Sequence, residues 1–375
     1  MSTAEPLVSR RGRRVQRALH PGGLGFLATY LIPLLIVVSA QLGAATRWPN
    51  SCAWLPLLVA YVAIPALNFF WRGPQPGFAD TVRGSAGWQR YYRALLLLSV
   101  AGQVALLVAG ASFWASGLLA PLGQVGWLMS VGLFSSLFAI NVGHELIHSR
   151  HSIDRAVGGV LLSMVCFGTF KTVHLAIHHR YVGTPLDHAT APRGRSLYGH
   201  WWRSVRANSW DALCHERRRL AQSGTSWWRS ELVASYALSA LWLALSATVW
   251  GWAGAVFFVL QSALAIVHLE WLNYLQHYGL SRARRADGRY EPVRPQHSWS
   301  QEHTATNLAT FNLMRHGDHH AHAWRRYQDL RHQPDSPSYP FDFSIMLLVA
   351  LCPPAFRAVA HARLERAAPR HQEAR

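Results

Sequence analysis

The run LMRHGDHHAHAWRRYQ at 313–328 places His316, His319, His320 and His322 within seven positions. Three further clusters accompany it. NVGHELIHSRH at 141–151 holds His144, His148 and His151, VHLAIHHRYVGTPLDHAT at 173–190 holds His174, His178 and His179, and NYLQHYGL at 273–280 holds His277. Seventeen of the 21 histidines fall between 144 and 322, with His20, His332, His361 and His371 outside. Such crowding is not the scatter of ordinary core histidines. Neutral imidazole is the usual ligand of iron, copper, nickel and zinc. One ion rarely takes more than about six ligands. Of these eleven imidazoles, nine acting as ligands would imply two metals, each with about four or five nitrogens and an open position.

Helical spacing brings these rings together. His144 and His148 are i, i+4 and stack on one face, with Cβ atoms roughly 5–6 Å apart. His174 and His178 repeat that spacing, with His179 next door. If 314–322 is helical, His316, His319 and His320 share a face, and His322 falls about 120° away as a bystander. His151 is i+7 from His144, so periodicity alone does not exclude it. His268, inside an apolar run, reads as a core hydrogen bonder. His297 and His303 are either neighbours of the ligands or plain loop residues.

The first cluster also contains H-E-L-I-H, the zinc metalloprotease pattern with Glu145 as general base. That reading needs one further ligand and leaves the other clusters without a role. Iron fits better, because it cycles between oxidation states and activates dioxygen. Zinc does neither.

The elements that must hold the rings are apolar blocks at about 24–46, 52–71, 94–117, 122–143, 231–250 and 254–276. Each has roughly 20 residues, enough to cross a ~30 Å hydrocarbon core as a helix. The first block lacks a small-residue cleavage site and reads as a retained span. The chain is 50% hydrophobic and only 14% charged, well below the roughly 25% of a soluble domain. Its net charge of +18 is nearly all arginine, with Lys171 the only lysine. Arg10, Arg11, Arg13, Arg14 and Arg17 precede the first block; Arg72, Arg83, Arg90 and Arg93 separate the second and third. The connections at 47–51, 118–121 and 251–253 hold only Arg47. Positive charge alternates with the spans, which puts both termini and the histidines on the cytoplasmic side. This distribution argues against nucleic-acid binding, for which no groove-reading or base-stacking module is present. Four scattered cysteines form no C-x-x-C pair, so there is neither a disulfide framework nor a thiolate metal site.

The organisation expected is a basic cytoplasmic tail at 1–23, one membrane domain at 24–361 and a tail at 362–375. Histidine-rich cytoplasmic regions lie at 144–230 and 277–342. SRARRADGRYEPVRPQ at 281–296 reads as an exposed loop. FSIMLLVALCPPAF at 343–356 is too short to span and reads as an interfacial or re-entrant helix.

From about the first span to Arg357 the sequence resembles the membrane alkane monooxygenases. These belong to a wider histidine-rich di-iron group with xylene monooxygenase, fatty acid desaturases and carotenoid hydroxylases. The likeness is densest at HELIHSRHSIDR, HLAIHHRYVGTPLD, NYLQHYGL and RHGDHHAHAWRRYQDLR. It implies an all-α integral membrane fold of six transmembrane helices with a histidine-rich di-iron cap on the cytoplasmic side of an inner membrane. It also implies two non-haem irons that hydroxylate the terminal methyl group of a hydrocarbon. The ligands carried over are His144, His148, His174, His178, His179, His277, His316, His319 and His320; His151 and His322 are not ligands in that pattern.

The chain departs from the family pattern at Gln276, where glutamate is usual, and at Leu175-Ala176-Ile177 inside the second cluster. It departs again at Ala321-His322-Ala323-Trp324 and at SPSYPFDFSIM. None of these touches a ligand. They bear on the substrate, which the scaffold would accept as an alkane, a methyl-arene, a terpene-like hydrocarbon or a fatty acyl chain.

A monooxygenase of this kind takes two electrons from a rubredoxin or a [2Fe–2S] ferredoxin with its NAD(P)H-dependent reductase. A desaturase of the same group would remove a second hydrogen instead. Glu145, Asp187, Glu270 and Asp318 are candidates to receive the second N–H of ligand imidazoles and fix their tautomers. An apolar channel from the bilayer is expected between the first four spans, with Trp54, Phe138 and Asn141 as linings.

Overall fold

The computed structural model describes residues 24–70 and 86–372. The tail at 1–23 and most of the arginine-bearing connection after the second span lie outside the described residues. Among these residues the fold is helical; there is no strand, only one isolated bridge between Arg284 and Tyr290 that closes the exposed loop at 281–296.

Helices α1 (Phe26–Ala45), α2 (Pro49–Phe70), α3 (Ala86–Ala115) and α4 (Pro121–Ile147) form the first part of a bundle. Next come α5 (Ser152–Ser163) and α6, which winds as an α-helix over Gly168–Val173, as a π turn over His174–His178 and as a last turn over His179–Tyr181. Then follow α7 (Leu197–Ser223), α8 (Glu231–His277), α9 (Thr304–Ala309), α10 (His316–Ala321), α11 (Phe343–Ala350) and α12 (Pro353–Gln372). Helices α1, α2, α3, α4 and α8 are long and apolar enough to cross a membrane.

Helix α8 is not straight. Gly251 leaves helical geometry at φ 62° and ψ −153°, a region that glycine enters without steric cost. Ser239 Oγ donates to Ser163 O at 2.9 Å, and Gln261 Nε2 donates to the neighbouring Met164 O at 3.1 Å. In one straight helix residues 239 and 261 would stand about 33 Å apart. Ser246 Oγ also reaches Gly254 O at 2.9 Å. Two antiparallel arms, 231–250 and 252–277, therefore meet at Gly251, and they match the apolar blocks at 231–250 and 254–276.

The bundle has two distinct ends. Asn50 Oδ1 accepts from Ala120 N at 2.9 Å, and Trp250 Nε1 donates to Ser112 Oγ at 3.2 Å, so the short connections gather at one end. The C-terminus of α4, the end of the second arm of α8, α6 and α10 gather at the other, where the histidines are. Helices α4 and α5 meet through Gly143 and Gly158: a Cβ on Gly158 would stand 3.0 Å from Gly143 O. That small-residue contact brings the backbones together one residue before His144.

Two boundaries differ from those expected. The run 343–356 is not one helix: α11 ends at Ala350 and Pro353 starts α12. α12 then continues to Gln372, so most of the expected tail at 362–375 is helical. Its alanine and arginine content explains this, since both are strong helix formers. Glu365 pairs with Arg193 at 2.8 Å, which fastens α12 to the loop before α7.

Candidate metal centre

The nine sequence-selected histidines lie in two groups. His144 and His148 from α4, His174 and His179 from α6 and His319 from α10 form the first. His178 from α6, His277 from α8 and His316 and His320 from α10 form the second. Within each group one ring nitrogen per residue lies within 4.8 Å of all the others. In the first, Nε2–Nε2 separations are 3.0 Å for His144–His319 and for His148–His174, 2.8 Å for His174–His179 and 3.2 Å for His179–His319. In the second they are 3.1 Å for His277–His316 and 3.0 Å for His316–His320.

The spacing expectation held for the first cluster and failed for two others. His144 and His148 share a group, as i, i+4 residues on one helix face should. His174 and His178 do not. The π turn over His174–His178 widens the helix to i→i+5 bonding, so His174 aligns with His179 and His178 swings to the second group. Likewise α10 divides its face: His316 and His320 go to one group and His319 to the other. Each of these short elements serves both groups.

The rings fit metal ions better than each other. A neutral imidazole nitrogen either donates or accepts, yet His174 Nε2 faces two other Nε2 atoms, and so does His179 Nε2. Two imidazoles bound at right angles through bonds of about 2.1 Å would have nitrogens about 3.0 Å apart. The observed separations match that edge length.

Six of the rings are also biased toward the neutral form, the form that binds metals. Burial pushes the imidazoles of His174, His179, His316, His319 and His320 well below their usual range, and neighbouring imidazoles add to the effect. Burial takes His148 down to about 4.

Of the four acids expected behind the ligands, Asp187 touches one. Its Oδ2 lies 3.0 Å from His178 Nδ1 and accepts from Thr190 Oγ1 at 2.7 Å. Burial alone would raise Asp187, but His178 and the other partners outweigh it and bring the carboxyl to about 2. The remaining three bond elsewhere. Glu145 accepts from Tyr327 N at 3.1 Å. Glu270 accepts from Ser204 Oγ at 2.5 Å, with His200 Nε2 at 3.7 Å. Asp318 takes Arg325, Gln333, the Arg331 N–H and His322 Nδ1. Asp318 is one or two residues from each ring of α10, and side chains at that spacing point away from one another on a helix.

The other histidines that sequence reading weighed lie outside both groups. His151 is exposed at the start of α5, and His322 is bound to Asp318. His268 donates to Leu264 O at 2.7 Å within its own helix. His297 lies 3.3 Å from Glu291, and His303 lies 3.0 Å from Asp342.

The expected channel residues fill space in the bundle. Phe138 is wholly buried and packs edge-on against Tyr30 at 5.5 Å. Trp54 covers Gly126. Asn141 donates to Thr310 O at 2.8 Å, tying α4 to the chain after α9.

Other residues that position the rings were not singled out from the sequence. Phe170 stacks on His174 with centroids 4.9 Å apart and planes at 23°. It lies one helical turn before that histidine, a spacing that could have marked it. The entry to α10 is set by Phe311 and Asn312, both left-handed at φ 50° and 58°. Asparagine tolerates that region, whereas phenylalanine loses roughly 1–2 kcal/mol. Phe311 is held there by Phe26 at 6.0 Å and Tyr327 at 4.8 Å, and Asn312 Nδ2 donates to Tyr327 O at 2.9 Å. Ser300 Oγ accepts from Gly317 N at 2.8 Å, and Arg315 pairs with Glu302 at 2.9 Å.

Comparison with known proteins agrees with this arrangement. Residues 119–337 match the family model of the fatty acid desaturases. Alkane 1-monooxygenase 2 of Pseudomonas aeruginosa is 40% identical over 341 residues, which is 88% of this chain and 89% of that protein. Alkane 1-monooxygenase 2 of Alcanivorax borkumensis is 36% identical over 346 residues, covering 91% and 90%. The hydroxylase component of the xylene/toluene monooxygenase of Pseudomonas putida is 28% identical over 344 residues, covering 90% and 89%. The two groups of histidines at one end of a bundle of apolar helices thus sit in a multi-pass membrane protein that belongs to the alkane 1-monooxygenase family, within the wider fatty acid desaturase family.

Proposed function

We propose that the protein is a non-haem di-iron monooxygenase that hydroxylates the terminal methyl group of an alkane-like hydrophobic substrate. The balanced reaction is R–CH3 + O2 + 2e⁻ + 2H⁺ → R–CH2OH + H2O. The observation that carries this reading is the pairing of two all-histidine donor sets with similarity to alkane 1-monooxygenases along most of the chain. His144, His148, His174, His179 and His319 would hold one iron, and His178, His277, His316 and His320 the other. Iron so held supplies the redox chemistry that reduces dioxygen and oxidises a C–H bond.

The chain's own residues do the rest. Asp187 holds His178 by its Nδ1–H, which fixes the tautomer and turns the other nitrogen toward the second group. Phe170 walls the first group with an apolar ring and keeps water from that side. Tyr327 and Asn312 fix the register of α10, on which both groups depend. Positioning of this kind is what a protein contributes when the metal supplies the reactivity.

In our reading the two arms of α8 make six crossings in all. The arginine distribution supports a topology with both termini and the histidine end on the cytoplasmic side of the inner membrane. A rubredoxin or [2Fe–2S] ferredoxin with its NAD(P)H-dependent reductase would deliver the electrons there, and substrate would enter from the bilayer. Purified protein in nanodiscs, given rubredoxin, reductase, NADH and ¹⁸O2, should convert an n-alkane to the labelled primary alcohol. An alkene as the product would make it a desaturase. Turnover without oxygen would end the oxygenase reading.

A further inference from the structure

Helix α7 has the reverse of a soluble helix's polarity. Its buried face carries His200, Ser204, Asn208 and Glu216, while its outward face carries Trp202 and Trp210, 68% and 64% exposed. Tyr198 and Leu213 extend the same side, at 49% and 47% exposed. A helix facing water would not place indoles outside and polar groups inside. Large exposed apolar faces of this kind mark interaction surfaces.

The path of α7 shows where that face lies. Near its start, Tyr274 near the end of the second α8 arm donates to Arg195 O at 2.9 Å. About two turns into α7, Ser204 bonds Glu270 of the same arm. Ala212 packs with Val173 and Leu232, and Glu216 accepts from Ser230 Oγ at 2.7 Å, at the start of the first arm. The two arms are antiparallel, so the end of one and the start of the other are at the same end of the bundle. Over these contacts α7 passes from arm to arm across the bundle, rather than along a crossing. Its outward face looks away from the bundle at the level where the spans end.

Charge completes the pattern. Arg206, Arg217, Arg218 and Arg219 are exposed on α7, and Arg206 lies over the Trp202 ring at 5.3 Å. Of the acids on this helix, Asp211 faces His188 at 3.3 Å and Glu216 binds Arg219. The connection to α8 adds Trp227 and Trp228, each 64% exposed. Tryptophan beside arginine, at the ends of apolar spans, is the composition of an interface with lipid headgroups.

We propose that α7 is an in-plane helix that docks its Trp202–Trp210 face into an anionic phospholipid leaflet at the histidine end. This rests on the membrane reading of the fold and not on the chemistry of the metal centre. The indoles sit at the headgroup level and the arginines draw anionic lipid to the helix.

The test places a nitroxide at W202C or W210C in a chain whose Cys52, Cys166, Cys214 and Cys352 are serine, with A286C in the exposed 281–296 loop as reference. The chain is reconstituted in vesicles of phosphatidylcholine and phosphatidylglycerol. Labels at 202 and 210 should be relaxed by bilayer-soluble oxygen more than by an aqueous nickel chelate, with the opposite order at 286. Nickel access like that of 286 would overturn the proposal, as would exclusion of both reagents, which would mean a protein covers the face. A second measurement keeps the native cysteines. R206Q and R217Q should each weaken retention of phosphatidylglycerol, read by native mass spectrometry, by about fivefold, with metal content unchanged. Undiminished retention would also overturn it. In the wild-type chain, absence of oxygen turnover with phosphatidylglycerol retained would instead bear on the function proposed above.

Discussion

His174 and His179 are five residues apart in sequence, yet their Nε2 atoms lie 2.8 Å from one another, while His178 between them belongs to the other group. One π turn gives α6 a ligand face toward each group. Removing Ala176 should return this segment to ordinary α winding. His179 would then sit where an i+4 partner of His174 belongs, and His178 would lose its aim. We expect helical content by circular dichroism to hold and bound metal per chain to fall by about half, since π bulges that serve a site are specific to it. Full metal content in the deletion variant would contradict this role for the turn.

Of the four candidate acids, Asp187 reaches a ring of the two groups, that of His178, so D187N should differ from E270Q and E145Q. Loss of such a partner typically lowers metal affinity or activity by about 10–100-fold. The expected loss is confined to the second group and appears in a metal titration as one weakened site beside one normal site. E145Q and E270Q should keep both sites near wild-type affinity. A uniform loss in D187N would mean that Asp187 supports the fold rather than His178.

Gly317 follows His316 of the second group, and the loops that cover it leave no room for a side chain. A Cβ there would press on Ser336 Oγ and stand 2.6 Å from the carbonyl oxygen of Pro295. The Ser336 hydroxyl can rotate away; the Pro295 carbonyl is backbone. G317A should therefore destabilise the protein by about 1–3 kcal/mol, the usual effect of overpacking, despite alanine's better helix propensity. Thermal unfolding in detergent reads this directly. An unchanged midpoint would show that the 295–300 and 333–337 segments are loosely held.

The pH dependence of the metal-free protein has a definite sign. His174, His179, His316, His319 and His320 are depressed by burial and by one another, and His148 is brought to about 4. Unfolded imidazoles titrate near about 6.5. Below that value the unfolded chain binds more protons than the folded one, so stability falls as pH falls. Asp187, at about 2 when folded, acts in the same direction but only below about 4. The unfolding midpoint of metal-free protein should drop between pH 7 and pH 5, and metal-loaded protein should release its ions over the same interval. A midpoint that rises on acidification would contradict buried neutral rings.

These predictions separate what residue spacing reveals from what it does not. His144 and His148 were readable because the chain winds as an α-helix over Asn141–Ile147, with His148 as its C-cap, and i, i+4 rings on an α-helix share a face. His174 and His178 were misassigned because a π turn has no signature in Leu175-Ala176-Ile177. The α8 hairpin was readable as two apolar blocks, since Gly251 and its neighbours interrupt them. Glu145, Asp187, Glu270 and Asp318 were equal candidates, and only the donors around each one show that Asp187 reaches a ring. The polar buried face of α7 escaped notice because it reads as the outside of a soluble helix until its path across the α8 arms is known.

The central claim is that nine imidazoles hold two irons. Elemental analysis of purified wild-type protein by inductively coupled plasma mass spectrometry, normalised to chain concentration, tests it most directly. The account predicts about two irons per chain, in line with two all-nitrogen donor sets, and no stoichiometric zinc. A single ion per chain, or zinc in place of iron, would contradict it.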